Sequence, residues 1–434
     1  MVVPSSNRTT YRELFVIPTF PRLATGVLLA RTASQMMLLT LVLFVLQRFH
    51  SPSLAGITVF LSIAPGVALS PVAGAMLDRH GRVRLMTLDY LVGTVTLALI
   101  AGLDLGGQLT PGVLLPIVAV SSLTYSLSNS GARSLLPLIV PKRLWDRANA
   151  LDSIAYAMTM GVGPASAGAL TDWAGPRLAL SVTAAVFLLA AVLIVRLPEP
   201  MVGNRSSRVF AEAWAGLTYV LFRNPALRGI ALVVSVMNLG YGVLLVALPV
   251  MVLQRLHGDP ALVGTLWAFF GLASVPSALV AGRINSEGRE RLVMVVCDVV
   301  AGLAVAVLAF AGTIWLVAAM MLIAGLSNGP FDVSMFSMRQ RRTDPAWYGR
   351  AFAVSMGLNW AGQPIGSAIS GPLIHLGLAA AFLVAAGFIL LGAGLVRWVI
   401  PAEHAGTMAT ESARQSRRDR PVEESPSSAE QGAG

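Results

Sequence analysis

Charge is what this sequence has least of. Asp, Glu, Lys and Arg make up 12% of its 434 residues, against roughly 25% in soluble domains, which excludes an ordinary water-soluble chain. Cysteine is nearly missing. The single Cys297 rules out an intramolecular disulfide and gives no reason to expect an oxidising compartment. Histidine is scarce and never falls in the middle of an apolar run, and His, Cys and carboxylates nowhere gather at metal-ligand spacing. Neither a metal nor any other cofactor is expected. No G-x-x-x-x-G-K-S/T loop occurs and no sizeable polar domain could hold one, which argues against nucleotide-driven pumping. Residues 1–22 carry arginines but no small-residue cleavage site, and the apolar run after them is of spanning length, so no cleaved signal peptide is expected.

What the sequence does have is long apolar runs. A helix needs about 20 apolar residues to cross the hydrocarbon core, and twelve such runs are found, roughly at 23–46, 54–77, 85–103, 112–131, 151–171, 178–197, 229–253, 261–281, 292–311, 314–335, 351–374 and 378–399. The ninth and tenth form one stretch too long for a single crossing and are divided at Ala311-Gly312-Thr313. With the amino terminus taken as cytoplasmic, only four of the 31 Lys and Arg avoid that side: Arg31 is embedded, and Arg48, Arg177 and Arg255 lie in opposite loops. Both termini are therefore expected inside, at the inner (plasma) membrane. The net charge of +10 is a topology signal, and a nucleic-acid partner is not expected.

The expected organisation is a cytoplasmic segment at 1–22, a six-helix bundle at 23–197, a cytoplasmic linker at 198–228, a second six-helix bundle at 229–400 and a disordered cytoplasmic tail at 401–434. The linker contains an amphipathic stretch at 209–222 suited to a membrane surface. The tail is Glu, Arg, Ser and Pro with no apolar face.

The most informative stretch joins the second and third runs: GAMLDRHGRVR, residues 74–84. A turn this short can only join two crossings on one side of a bilayer, and Gly81 supplies the backbone freedom that reversal needs. Asp78 falls at the carboxyl end of its helix, where the macrodipole disfavours an anion, so a partner is expected for it. Gly74, Asp78, Arg79, Gly81, Arg82 and Arg84 resemble, at every position, the loop 2–3 signature of the major facilitator superfamily, G-x-x-x-D-R-x-G-R/K-x-R/K. An ordinary positive-inside loop would explain the arginines but neither the glycines nor the aspartate. The resemblance extends over residues 20–400 and implies an all-α polytopic membrane protein, twelve transmembrane helices arranged as two six-helix parallel repeats.

Traces of that repeat are present. Gly81, Arg82 and Arg84 recur as Gly288, Arg289 and Arg291, Leu127-Ser128-Asn129 as Leu326-Ser327-Asn328, and Pro164 as Pro364, at offsets that agree to within a few residues. Asn285 replaces Asp78 in the second copy.

Polar groups inside a bilayer are costly, so each embedded one needs a partner, water or a function. Arg31 lies about 12 Å into the first run at 1.5 Å per residue. It either snorkels to the headgroups or faces a cavity with Gln35 and pairs with a carboxylate or an anionic substrate. In the resembled fold the first, fourth, seventh and tenth helices line the cavity. That makes Arg31, Gln35, Tyr125, Asn129, Asn238, Tyr241 and Asn328 candidate lining residues, each of which could instead bond a neighbouring helix. Arg133 and Asp332 follow Asn129 and Asn328 at the same interval and are expected to pair across the cytoplasmic mouth when it closes. Proton candidates are Asp89, Asp152, Asp298 and Asp332, because a carboxyl among apolar atoms holds a proton more readily than one in water. Asp89 and Asp298 are not repeat equivalents, and a loop arginine such as Arg82 is the expected partner of a carboxylate at Asp89's level.

Gly161, Gly163, Pro164 and Gly168 in the fifth run, with Gly362, Pro364, Gly366 and Gly371 in the eleventh, offer the small residues and the proline bends that a seam between rocking bundles requires. The fifth-run segment GVGPASAGAL partly resembles the antiporter motif of drug exporters, with Ala167 in place of a glycine. Gly66, Ser70 and Gly74 give the second run a smooth face, which by resemblance meets the eleventh and brings Asp78 near Tyr348-Gly349-Arg350. The reading is a transporter of a small, partly apolar solute, with proton-coupled export of a drug, siderophore or other secondary metabolite favoured. Proton-coupled uptake is the alternative, and a polytopic membrane enzyme the least supported. The partners expected are the solute, the lipid bilayer and protons, with no oligomer required.

Overall fold

The structure, a computed structural model, describes residues 12–198, 209–284, 287–344 and 347–402. Fifteen α-helices are described and no strand occurs among the described residues. In order they are α1 (Arg12–Val16), α2 (Phe20–Phe49), α3 (Pro52–His80), α4 (Arg82–Leu105), α5 (Pro111–Ser122), α6 (Tyr125–Ile139), α7 (Trp145–Ile194), α8 (Val209–Thr218), α9 (Pro225–Val250), α10 (Pro260–Ala281), α11 (Glu290–Leu308), α12 (Ile314–Arg341), α13 (Tyr348–Trp360), α14 (Gly362–Leu376) and α15 (Leu378–Val399). Ten helical stretches are long and apolar enough to cross a membrane. One of them, Leu151–Ile194, has room for two crossings. Taking α13 and α14 together as another accounts for the twelve runs.

The boundaries follow from local chemistry. Ser51, Asp259 and Thr313 each accept a hydrogen bond from a backbone N–H in the first turn of α3, α10 and α12, at 3.2, 2.6 and 3.4 Å, which satisfies one of the donors a helix start leaves open. Pro52 and Pro260 stand at the first helical position, where a missing N–H costs nothing. These starts, with the turn after Phe49, mark one end of the bundle, called distal here because the described chain begins and ends at the other. The proximal turn between α3 and α4 is Gly81 alone, at φ 96°.

Several expected boundaries move. α11 ends at Leu308 and α12 begins at Ile314, in agreement with the division of that long stretch. The fifth and sixth runs separate at Gly175 (φ 83°, ψ 165°), inside the expected gap between 171 and 178, and its successor Pro176 supplies no backbone donor; the helix before the break begins at Trp145 rather than at 151. The fourth run is two helices, α5 and α6, and reaches Ile139, so Arg133 belongs inside α6 and not at its end. At that break the Ser122 and Thr124 hydroxyls donate to the carbonyls of Ala119 and Ser121, at 2.8 and 3.1 Å, and compete with the helical ladder. The eleventh run breaks at Ala361, three residues before Pro364, which cannot donate to the carbonyl of Trp360. In the linker, α8 gives way at Tyr219–Arg223 to a π turn. The tail beyond residue 402 lies outside the described residues.

The apolar interior forms two main clusters. One is built on α2 to α7, with Val42, Val59, Leu97, Leu135 and Phe187 among its buried members, and it takes Leu245, Val246 and Val250 from α9. The other is built on α9 to α15, with Leu244, Met294, Met321, Phe382 and Ile389, and it takes Met36, Leu39 and Leu43 from α2 and Ala167 from α7. α2 and α9 therefore contribute to both clusters.

Between the groups the main contacts are α7 with α10 and α3 with α14. Both rest on missing side chains. A Cβ at Gly168 would collide with the Pro260 carbonyl and the backbone of Gly264, and one at Gly264 would collide with the Pro164 carbonyl. Further along, a Cβ at Gly271 would strike the backbone of Met160 and Gly161. In the second pair Gly56 lies against the Ser367 carbonyl and Gly371 against Ser53. Close backbone approach of this kind is how helices associate where apolar lipid removes the hydrophobic drive.

Candidate functional site

Two pockets hold the embedded polar groups, one within each group of helices. The first is walled by α2, α6 and α7 and has Arg31 and Asp152 among otherwise apolar side chains such as Leu28, Leu136 and Leu151. Arg31 Nη1 donates to Asp152 Oδ1 at 2.7 Å and Nη2 to Oδ2 at 3.2 Å, while the guanidinium lies 5.4 Å from the centre of the Tyr156 ring. This planar two-point grip is the geometry that arginine offers a carboxylate and lysine cannot. Of the options open for Arg31, pairing with a carboxylate is the one found. Asp152, a proton candidate from sequence, is the partner.

The second pocket is a narrow cleft where α9, α11 and α12 meet, lined by Met237, Tyr241, Cys297, Asp298, Ala301, Ser327, Asn328 and Phe331. Asp298 is 2% exposed. Its Oδ2 is buried without a hydrogen-bond partner among the described residues. One turn beyond Asn328, Asp332 accepts a 3.0 Å hydrogen bond from the Asn328 amide and is close enough to act electrostatically on Asp298. Tyr241 presents its ring edge to Phe270 of α10, with centroids 5.8 Å apart.

The other expected lining residues are placed differently. Gln35 donates to the Met160 sulfur at 2.7 Å, and its Cβ fills the space left by Gly163. Asn238 donates to the Asn359 carbonyl at 2.8 Å, a buried link between α9 and α13. Tyr125 opens α6 and packs near Gly66 of α3, and Asn129 is exposed. Gln35 and Asn238 are satisfied inside a bundle because an embedded polar atom needs its partner in every pose, and a neighbour in the same bundle is always present. Asp89 lies beside the Ser128 and Thr124 hydroxyls of α6 and the turn before it, and not beside the loop arginine expected.

The expected seam residues divide. Gly161, Pro164 and Gly168 face α10 across the two groups, but Gly163 packs on α2, and Gly362 and Gly366 pack on Ser235 and Leu239 of α9 within their own group. Pro364 is buried beside them. The cross-group surface of the eleventh run is Ser367, Ser370 and Gly371, and Ser70 of α3 reaches Gly357 of α13. In the loop, Arg79 is exposed, and Arg82 and Arg84 begin α4. The side chains of Gly74, Asp78, Arg133 and Tyr348-Gly349-Arg350 lie outside the described residues, so the expected partners of Asp78 and Arg133 do as well.

Sequence reasoning missed three buried charges. Asp104, 1% exposed at its side chain, is held by Arg48 at 2.7 Å and by Arg177, a cluster that ties α2, α4 and α7 at the distal end. Glu290 of α11 is paired with Arg341 of α12 near the proximal end. Arg339, fully buried, lies beside the Met335 and Met356 sulfurs and 5.5 Å from the Phe336 ring centre. The available signal for Asp104 was that the two distal arginines Arg48 and Arg177 have few acids near them in sequence. Arg339 read as an ordinary loop arginine because it precedes Arg341 and Arg342.

The Major Facilitator Superfamily model matches residues 23–285 and 230–429. An uncharacterized MFS-type transporter, y4rN of Sinorhizobium fredii, is 39% identical over 394 residues, which is 87% of this chain and 94% of that protein. The multidrug efflux pump Tap of Mycobacterium tuberculosis is 27% identical over 396 residues, 87% of this chain and 91% of the pump. Among solved structures, the nucleoside transporter NupG superposes with a TM-score of 0.69 at 15% identity, covering 88% of this chain and 99% of its own. A D-xylose-proton symporter does so with a TM-score of 0.70 at 13% identity, covering 90% and 98%. Identities this low carry the fold alone. The all-helical fold and the matched length together show that the chain belongs to the Major Facilitator Superfamily and is a multi-pass membrane transporter, not an enzyme.

Proposed function

We propose that this transporter exports a small, partly apolar compound across the inner membrane in exchange for protons, with both termini in the cytoplasm. Access alternates as the bundles at 23–197 and 229–400 rock against each other, and no oligomer is required. The observation that carries this reading is the pair of glycine contacts between α7 and α10, at Gly161 with Gly271 and Gly168 with Gly264. Backbone-to-backbone contacts let two helices roll or slide without extracting interlocked side chains, which a rocking seam requires. The direction is supported by the efflux pumps among the relatives of matching length and by the partial antiporter motif around Pro164. In the closed-mouth pose Arg133 pairs with Asp332, which in the present arrangement bonds Asn328. The loop from Gly74 to Arg84 latches one of the poses.

The test is purified protein in liposomes with an imposed pH gradient and a panel of amphipathic compounds. Saturable, gradient-dependent movement of a compound out of the compartment equivalent to the cytoplasm is expected. Movement only in the opposite direction would replace export with uptake, and no movement of any compound under any gradient would count against secondary transport.

A further inference from the structure

The second pocket contains an acceptor with nothing to accept from. Asp298 is 2% exposed, yet its Oδ2 has no donor among the described residues. Facing it are Tyr241 from α9, Cys297 on its own helix, and Asn328 and Asp332 from α12. Asn328 spends its amide on Asp332 at 3.0 Å, and the Ser327 hydroxyl donates to the Ile323 carbonyl. One turn along the same face, α11 meets apolar atoms of α15, with Gly302 against Leu390. The nearest cation along α12 is Arg339, two turns beyond Asp332 and roughly 10 Å away along the axis; it lies beside the Met335 and Met356 sulfurs and also acts electrostatically on Asp332. Asp298 in the pocket and Asp332 beside it therefore sit within electrostatic reach of each other, and Asp298 carries an unsatisfied oxygen. A buried acceptor left unpaired is costly, and a carboxyl that gains a proton becomes a donor.

We propose that Asp298 and Asp332 hold one exchangeable proton between them and that this pair is the transporter's proton-binding site. The inference deepens the exchange reading above by assigning its carrier. It places the carrier inside the carboxy-terminal group of helices, between α11 and α12, and not at the seam. Of the four carboxyls open from sequence, Asp152 is committed to Arg31 and Asp89 lies beside two hydroxyls. Sodium is the competing occupant, since carboxylate, amide and hydroxyl oxygens also suit it.

The test is infrared difference spectroscopy of the purified full-length protein in lipid nanodiscs during a pH titration, which reads protonated carboxyls without needing a substrate. One titrating protonated-carboxyl signal is expected to vanish in Asp298→Asn, to move its midpoint to lower pH in Asp332→Asn, and to persist in Asp89→Asn. Asp332 is only partly buried, so its variant carries the test if Asp298→Asn does not fold. A signal that survives in Asp298→Asn, or whose midpoint is unmoved in Asp332→Asn, overturns the proposal, and so does a titration midpoint that moves with sodium concentration. Because no flux is measured, failure of the export reading leaves this result standing, and flux with no such signal retires the pair alone.

Discussion

Arg31 on α2 grips both carboxylate oxygens of Asp152 on α7, at 2.7 and 3.2 Å, across 121 residues of sequence. The side chains are 12% and 28% exposed, so neither charge is freely solvated. Removing one partner strands the other beside apolar walls. Asp152→Ala and Arg31→Ala are each expected to lower stability by about 1–3 kcal/mol, read as an earlier unfolding midpoint in detergent. The exchange Arg31→Asp with Asp152→Arg should recover part of that loss. An unchanged midpoint in both single variants would show that the pair holds nothing.

Asp104 with Arg48 and Arg177 is expected to behave non-additively. The arginine side chains are 44% and 52% exposed and the carboxylate 1%, so each arginine can return to water but Asp104 cannot. Losing one arginine leaves the other in place and should cost about 1 kcal/mol, whereas losing both leaves a buried unpaired charge and should cost about 3–5 kcal/mol. Denaturant titration of Arg48→Ala, Arg177→Ala and the double variant measures the coupling. Simple additivity would remove the cluster's role as a distal clamp.

Gly168 and Gly264 leave no room for a side chain, whereas a Cβ at Gly102 meets nothing within 4 Å. Gly264→Val is expected to push α7 and α10 apart and reduce flux at least tenfold while the protein still inserts. Gly102→Ala should match the parent. Equal activity in Gly264→Val would mean that the seam does not depend on this approach.

For the loop, Asp78→Ala is expected to leave membrane insertion intact and abolish or strongly reduce transport. Full activity in that variant would remove the latch. Reversing charge at both Arg133 and Asp332 should likewise rescue the defect of either reversal alone if the two meet when the proximal mouth closes.

Hydropathy made the crossings legible because length and polarity decide whether a segment can span a bilayer. It even resolved the boundary near Gly312, which the structure places between Leu308 and Ile314. It also placed the break at Gly175, within the polar stretch 172–177, but it could not find the one before Tyr125, where the only polar groups are the small hydroxyls of Ser121, Ser122 and Thr124. Which polar residues meet was less legible still. The resemblance named Gln35 and Asn238 as cavity residues, but rotation about a helix axis and long-range pairing decide that they meet Met160 and the Asn359 carbonyl. Gly362 and Gly366 look as suited to an inter-bundle seam as Gly168, and only packing separates them.

The most direct measurement of rocking between the bundles is a pair of spin-label distances in a Cys297→Ser background, which removes the sole native thiol. One pair, at Trp173 and Ala261, spans α7 and α10 distally, and the other, at Ile154 and Leu279, spans them proximally. As pH or compound is varied, one distance is expected to lengthen while the other shortens. Both distances fixed under every pH and every compound would contradict alternating access.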